Sequence, residues 1–282
     1  MEVIIRGEKL LKLGQSILKD NNVPNYNLDA RILLANLLRL ENKYFVSDVK
    51  VANKDKETFF SMIMDRVNGK PVSKIISKRA FWDADFYINF ATLDPRPDSE
   101  ILVESALEVN KLINKEKINI LELGVGSGCI LLSLLNEING SMGIGIDKDI
   151  NALKVAQSNA INLRISNKVS FIASNWTKSV KGKFDIIISN PPYIKTSEII
   201  YLQKEVKNHD PLIALDGGED GLRCYREIMK TVKPLMNKNS FLLFEIDSWQ
   251  GNKIIEISKK NYLKFFSIKK DLSGKERCII FK

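Results

Sequence analysis

The chain of 282 residues contains a single histidine, His209, and only three cysteines, Cys129, Cys224 and Cys278. One imidazole and three scattered thiols give neither metal-ligand spacing nor a histidine-activated nucleophile, so no metal site is expected. Three cysteines cannot all pair, and they read as buried or incidental thiols; His209, beside Asp210 in a polar stretch, reads as a loop or surface residue. No run approaches the roughly 20 apolar residues that span a bilayer. The first residues, with Glu2, Arg6 and Glu8 around short apolar pairs, have neither signal-peptide nor transit-peptide layout, so a cytoplasmic protein without membrane attachment is expected. Internal repeats and low-complexity tracts are missing too. What is present is ordinary globular composition, 44% hydrophobic and 27% charged. The formal charge of +9 is spread along the whole chain. Such a spread fits an acidic or nucleic-acid partner and a general compositional bias equally well.

Residues 1–75 carry apolar residues at helical spacing: Leu10, Leu11, Gly14, Ile17 and Leu18, then Leu28, Ile32, Leu33, Leu37 and Leu38, then Phe60, Ile63, Met64 and Val67. Pro24 after Asn21-Asn22, and Gly69 with Pro71, mark helix ends. A small helical bundle, suited to docking, is expected there. Residues 76–97 read as a linker with a hairpin around Phe81–Ile88, followed by Pro95-Arg96-Pro97, with Pro97 and the acids after it suited to a helix start.

From residue 98 to 282 strands and helices alternate. Candidate strands are Ile118–Leu123, Met142–Ile146, Val169–Ala173, Phe184–Ser189, Phe241–Ile246, Phe265–Lys269 and Cys278–Phe281. Helices fit Ile130–Asn136, Asn151–Leu163 and Gly221–Leu235. This is the texture of a doubly wound α/β domain with a mostly parallel, seven-stranded sheet. The last two strands lie too close for a helical crossover and must run antiparallel.

Two motifs carry chemistry. Where the first of these strands meets its helix, Glu122-Leu123 leads into Gly124, Val125, Gly126, Ser127 and Gly128; glycines there let a ligand approach the backbone. About twenty residues on, Asp147 ends the next strand, placed to bind ribose hydroxyls. The glycines run G-x-G-x-G and position 129 is Cys, which departs from the dinucleotide fingerprint. Acidic Glu122 also suits a cationic nucleoside ligand better than a pyrophosphate, which points to S-adenosylmethionine.

The second motif is Asn190-Pro191-Pro192-Tyr193, after the apolar run Phe184–Ser189. Two prolines fix φ, remove two donors and hold Asn190 extended. What remains offers the Asn190 side-chain oxygen and the Asn190 and Pro191 carbonyls as acceptors, with an aromatic ring close by. Such a clamp suits a planar NH2 group, a carboxamide or the amino group of a base. Four residues alone are equally compatible with a rigid structural loop. If the fourth strand of the sheet neighbours the first, both motifs open onto one crevice.

With these motifs, and with Lys70-Pro71-Val72, Phe81-Trp82, the stretch Ala91 to Glu100, Asp210-Pro211, Ala214-Leu215, Gly217-Gly218 and Asp220-Gly221-Leu222, the sequence resembles the protein-(glutamine-N5) methyltransferases that modify class 1 peptide chain release factors. The resemblance implies a Rossmann-like class I methyltransferase domain preceded by an N-terminal bundle that helps recognise the release factor. It implies methyl transfer from S-adenosylmethionine to the glutamine of a Gly-Gly-Gln loop, with no nucleic acid required. Residues Gly124 to Gly128 would wrap the methionine part of the cofactor, Asp147 would hold its ribose, and Trp176 would lie near the adenine. Asn190 would touch cofactor and substrate, and Asn190, Pro191, Pro192 and Tyr193 would hold the glutamine, Tyr193 as a wall of the slot. The family often has Asp-Trp where this chain has Asn175-Trp176, which implies weaker adenine binding. An adenine-N6 nucleic-acid methyltransferase shares the tetrapeptide and is the alternative, although no large target-recognition insertion is visible. A catalytically silent binding protein on the same scaffold is a further one.

Overall fold

The computed structural model describes residues 5–40 and 43–282, in two compact units. The smaller unit comprises residues up to Lys78 together with Gln203–His209. It contains strand β1 (Ile5–Arg6), helices α1 (Gly7–Asp20) and α2 (Tyr26–Leu37), strand β2 (Lys50–Val51), helices α3 (Asn53–Val67) and α4 (Val72–Ile76), and the returning helix α8 (Lys204–His209). Leu10, Leu11 and Leu18 of α1, Leu33 and Leu34 of α2, and Phe59 and Ile63 of α3 form its core. The expected bundle is present, but Leu28, Ile32 and Met64, expected on its apolar stripes, are not in its core. Leu28 and Met64 are exposed, because the buried face of α2 runs through Asp29, Leu33 and Leu34 and that of α3 through Phe59, Ile63 and Arg66. Arg66 is buried with cause: its Nε donates to Asp29 Oδ2 at 2.8 Å, and its Nη1 lies 3.4 Å from Glu205 Oε1. A buried charge needs such partners. His209 closes α8 and is half-buried, so it is helical rather than a loop residue.

The larger unit spans Arg79–Leu202 and Asp210–Lys282. Residues 79–97, expected as a linker, therefore pack within it. The hairpin strands are β3 (Lys78–Phe81) and β4 (Ala84–Tyr87), joined by Trp82-Asp83, with Trp82 left-handed at φ 55°. A 3₁₀ turn at Pro97–Ser99 leads into α5 (Glu100–Ile113), as Pro97 and its acids suggest.

The sheet of this unit contains β5 (Ile118–Leu123), β6 (Ser141–Asp147), β7 (Val169–Ala173), β8 (Phe184–Ser189), β9 (Met236–Glu245), β10 (Phe265–Lys270) and β11 (Glu276–Phe281). Their order is β10-β11-β9-β8-β5-β6-β7. Only β11 runs against its neighbours β9 and β10, so the seven-stranded sheet with one antiparallel strand is as expected. Helices α5, α6 (Cys129–Glu137) and α7 (Ile150–Asn162) cover one face, burying Ile186 and Ile188. Helices α9 (Arg223–Val232) and α10 (Gly251–Lys260) cover the other, burying Ile187. A strand apolar on both faces follows from this double covering. Strand β9 starts at Met236, five residues before the expected Phe241, because its polar first half carries no apolar signal.

Strand β8 pairs in parallel with β5, with Glu122 opposite Ile188. The order of the sheet reverses direction of winding around β5, so the carboxyl ends of β5 and β8 open at the switch point where ligands of such folds bind. All three cysteines are buried free thiols. No helix among the described residues is long and apolar enough to cross a membrane.

Candidate active site

A cavity of about 420 Å³ lies over the carboxyl ends of the strands of the larger unit. Its lining includes Gly124, Val125, Gly126, Ser127, Asp147, Trp176, Asn190 and Pro192. The two motifs therefore meet in one crevice. Three expected residues do not line it: Gly128, at the start of α6, and Pro191 are buried, and Tyr193 packs against the apolar core shared with α9 and α10.

The glycine loop is built by the backbone. The amides of Gly124 and Val125 both donate to Ile146 O at 2.8 Å, pinning the loop to the end of β6. Gly124, Gly126 and Gly128 all have positive φ. Gly126 is the informative one: at φ 54°, a Cβ there would meet nothing within 4 Å. The space above it belongs to the cavity, so the glycine serves ligand approach as well as backbone conformation. Asn159 of α7 fastens the loop from behind, its Nδ2 donating to Ser127 O at 2.8 Å and to Tyr87 O at 2.9 Å.

Two carboxylates form the floor. Asp147 Oδ2 accepts from Gly126 N and Oδ1 from Asp149 N, both at 3.0 Å. Each carboxylate oxygen has two acceptor positions, so capacity for a vicinal diol remains. Burial raises the Asp147 pKa above the usual aspartate value, against the lowering effect of those two amides. Glu122 is buried, accepts from Leu131 N at 3.0 Å, and burial pushes its pKa well above the usual range, with Asp147 adding to the rise. Two close, partly desolvated acids favour a cation between them. A ligand with a diol and a positively charged amino group fits this floor, as S-adenosylmethionine would.

At one end Trp176, left-handed at φ 52°, donates from Nε1 to Glu227 Oε2 at 2.8 Å, which fixes the plane of its ring beside Gly124. Asn175 also lines the cavity and is exposed.

At the other end Ser189, the last residue of β8, donates to Leu123 O at 2.6 Å. Asn190 follows, half-buried, and its Nδ2 donates to Ser99 Oγ at 3.2 Å. That bond leaves Oδ1 as an acceptor with no donor among the described residues. Tyr193 donates to Glu245 Oε1 at 3.3 Å, and burial together with Glu245 drives its pKa far up, so the phenol stays protonated. The backbone of Tyr193 is crowded by the 217–222 loop. A Cβ on Gly221, at φ 71°, would lie 2.5 Å from Tyr193 O. Gln250, fully buried, closes this corner: Nε2 donates to Gly221 O at 3.0 Å, and Oε1 accepts from Asp247 N at 2.9 Å and Tyr225 Oη at 3.2 Å. The Pro-Arg-Pro segment is held in place by Asp210, which accepts from Arg96 Nη2 at 2.8 Å and Asp94 N at 3.1 Å. Pro95 from that segment lines the cavity.

Sequence reasoning gave no role to Ser99, Asn159, Glu245 or Gln250. Glu245 carried a signal: a lone carboxylate inside the apolar run Phe241–Ile246. For Ser99 and Asn159 no local pattern exists. Among the described residues no group of three or more His, Cys, Asp or Glu is placed to hold a metal ion.

The Methyltransferase small domain family matches residues 98–206, and the PrmC N-terminal domain matches residues 9–76. The chain is 39% identical over 274 residues to the release factor glutamine methyltransferase of Rhodospirillum rubrum, covering 96% of this chain and 83% of that one. It is 36% identical to the release factor glutamine methyltransferase of Agrobacterium fabrum, covering 90% of each. A crystal structure of a methyltransferase from Pyrococcus furiosus superposes with a TM-score of 0.52 at 18% identity, covering 79% of this chain and 96% of that one; this is a likeness of fold. Identity of this extent, through both the bundle and the sheet, means that the chain belongs to the release factor glutamine methyltransferase family.

Proposed function

We propose that this protein methylates the side-chain amide nitrogen (N5) of the glutamine in the Gly-Gly-Gln motif of class 1 peptide chain release factors, using S-adenosylmethionine. One observation carries the reading: Asn190 is tied through Nδ2 to Ser99, with no donor to its Oδ1 among the described residues, on the same cavity as the glycine loop and Asp147. The names of the relatives agree with it.

When bound, S-adenosylmethionine supplies a methyl group made electrophilic by the sulfonium. Gly124, Val125, Gly126 and Ser127 would border its methionine part, with Gly128 buried outside the lining and Glu122 facing the amino group. Asp147 would accept from the ribose hydroxyls, and Trp176 would pack by the adenine. Asn175 would accept from the adenine amino group through Oδ1, as a neutral rather than charged partner.

The substrate side follows from the chemistry of an amide. Its nitrogen lone pair is delocalised and a poor nucleophile. Asn190 Oδ1, on the cavity, accepts from the NH2 group, which aims the nitrogen and stabilises positive charge as it forms. Pro191 and Pro192 keep this corner rigid, since neither can rotate about φ. Tyr193 contributes through its position and not as a base, because its phenol is held protonated. Positioning of this kind supplies up to about 7–11 kcal/mol, and the hydrogen bonds that strengthen with charge add to it. The smaller unit is assigned to release-factor docking.

The test is tandem mass spectrometry of a class 1 release factor after incubation with the protein and S-adenosylmethionine. One added methyl on the Gly-Gly-Gln glutamine is expected. A methyl found instead on adenine of added DNA or RNA would install the nucleic-acid alternative.

A further inference from the structure

At the end of the cavity where Trp176 stands there is a carboxylate that no step above uses. Arg223, Cys224 and Glu227 line the cavity from α9. They lie on one side of that helix, at the spacing of neighbours one turn apart. Tyr225, Ile228, Met229 and Val232 bury the other side in the core. Two hydrogen bonds on successive turns fasten α9 to the segment after β7. Trp176 Nε1 donates to Glu227 Oε2 at 2.8 Å, and Thr177 Oγ1 donates to Thr231 Oγ1 at 2.6 Å. The carboxylate of Glu227 and the ring of Trp176 are thus held together beside the glycine loop.

Glu227 uses one oxygen on the indole. No donor among the described residues reaches the other, Oε1. The remaining polar groups of this end are either committed or adaptable. Arg223 Nη2 donates to Asp216 O at 2.8 Å and to Asp216 Oδ2 at 3.2 Å. Asp149 caps α7, accepting from Asn151 N at 2.8 Å. Asn175 is exposed, and an amide can turn either its oxygen or its NH2 toward a ligand. A carboxylate can only accept. Of these groups, Glu227 is the one that demands a donor from whatever lies beside Trp176. Adenine carries such a donor in its exocyclic amino group.

We propose that Glu227 Oε1 accepts from the amino group of the cofactor's adenine, so that Glu227 selects a 6-amino purine and supplies the negative charge that neutral Asn175 lacks. This rests on S-adenosylmethionine as the cofactor and not on the identity of the methyl acceptor.

The test is calorimetric titration of the full-length protein with S-adenosylhomocysteine and with its 6-deamino analogue, which has hydrogen in place of the amino group. The wild-type protein is expected to prefer S-adenosylhomocysteine by roughly tenfold or more. Glu227→Gln keeps an oxygen for the indole but turns an NH2 toward the purine, donor against donor. Its preference is expected to fall to nearly one, whereas Asn175→Ala keeps the larger share. A wild-type preference surviving in Glu227→Gln overturns the proposal. Should that variant fail to fold, equal affinity of the wild-type protein for the two ligands overturns it as well. Binding of neither ligand would bring down the cofactor assignment and the proposal together. The titration contains no release factor, so failure of the proposed function is read separately, in the methylation experiment above.

Discussion

Ser189 Oγ and the carbonyl of Leu123 are 2.6 Å apart, joined by a buried hydrogen bond between the last residues of two neighbouring parallel strands. The glycine loop leaves from Leu123 and the Asn-Pro-Pro-Tyr turn from Ser189. One hydroxyl thus sets the starting distance between the two halves of the site. Ser189→Ala removes that bond from a fully buried position and is expected to cost about 1–2 kcal/mol. Urea denaturation should show a lower midpoint with an unchanged slope.

Asn190→Ala deletes the acceptor without touching Asp147 or the glycine loop. Calorimetric affinity for S-adenosylmethionine is expected to stay within about tenfold, while single-turnover methyl transfer loses roughly 3–4 kcal/mol of transition-state stabilisation, as for loss of one oriented partner of a developing charge. Near-normal turnover in a folded variant would remove Asn190 from the mechanism.

Gly126→Ala separates ligand approach from folding. No atom lies within 4 Å of the new methyl in the free protein, so stability should fall only by the strain of a left-handed alanine, about 1–2 kcal/mol. Cofactor affinity should fall much further, because the methyl would occupy the ligand side of the loop. Equal losses in thermal stability and in binding free energy would argue against that placement.

Tyr193→Phe should retain much of the activity, since the phenol is neither an acid nor a base in the reaction. A fall in kcat comparable to that of Asn190→Ala would contradict this placement.

Glu245 also ties folding stability to pH. Its carboxyl is held at about 7 in the folded protein against an ordinary 4.5. Below the ordinary value it is protonated in both states and carries no penalty. As pH rises through this window the unfolded chain ionises first, and stability is lost until the folded pKa is passed. Glu245→Gln lacks this loss, so its stability relative to wild type should improve between acid and neutral pH, by up to roughly 3 kcal/mol. Paired denaturation curves at several pH values measure it.

The sheet was readable because strands such as Phe184–Ser189 are covered on both faces and show as unbroken apolar runs. Two-residue strands such as Ile5–Arg6, and the polar opening of β9, leave no such trace. In the bundle, Leu28 and Met64 sit one step away from the buried stripe, where periodicity cannot choose between adjacent faces. The glycine loop and the Asn-Pro-Pro-Tyr turn were legible because their chemistry is local. Ser99 lies 91 residues from Asn190 in sequence and acquires a role only when α5 packs across the sheet. The mild anomaly at Glu245 was visible as a charge among apolar neighbours, but its partners were not.

The most direct measurement is a crystal structure of the protein with S-adenosylhomocysteine and a peptide containing Gly-Gly-Gln. The account predicts the glutamine nitrogen, not its oxygen, turned toward the sulfur, with its NH2 donating to Asn190 Oδ1. A glutamine bound elsewhere, or held with its carbonyl oxygen facing the sulfur, would contradict it.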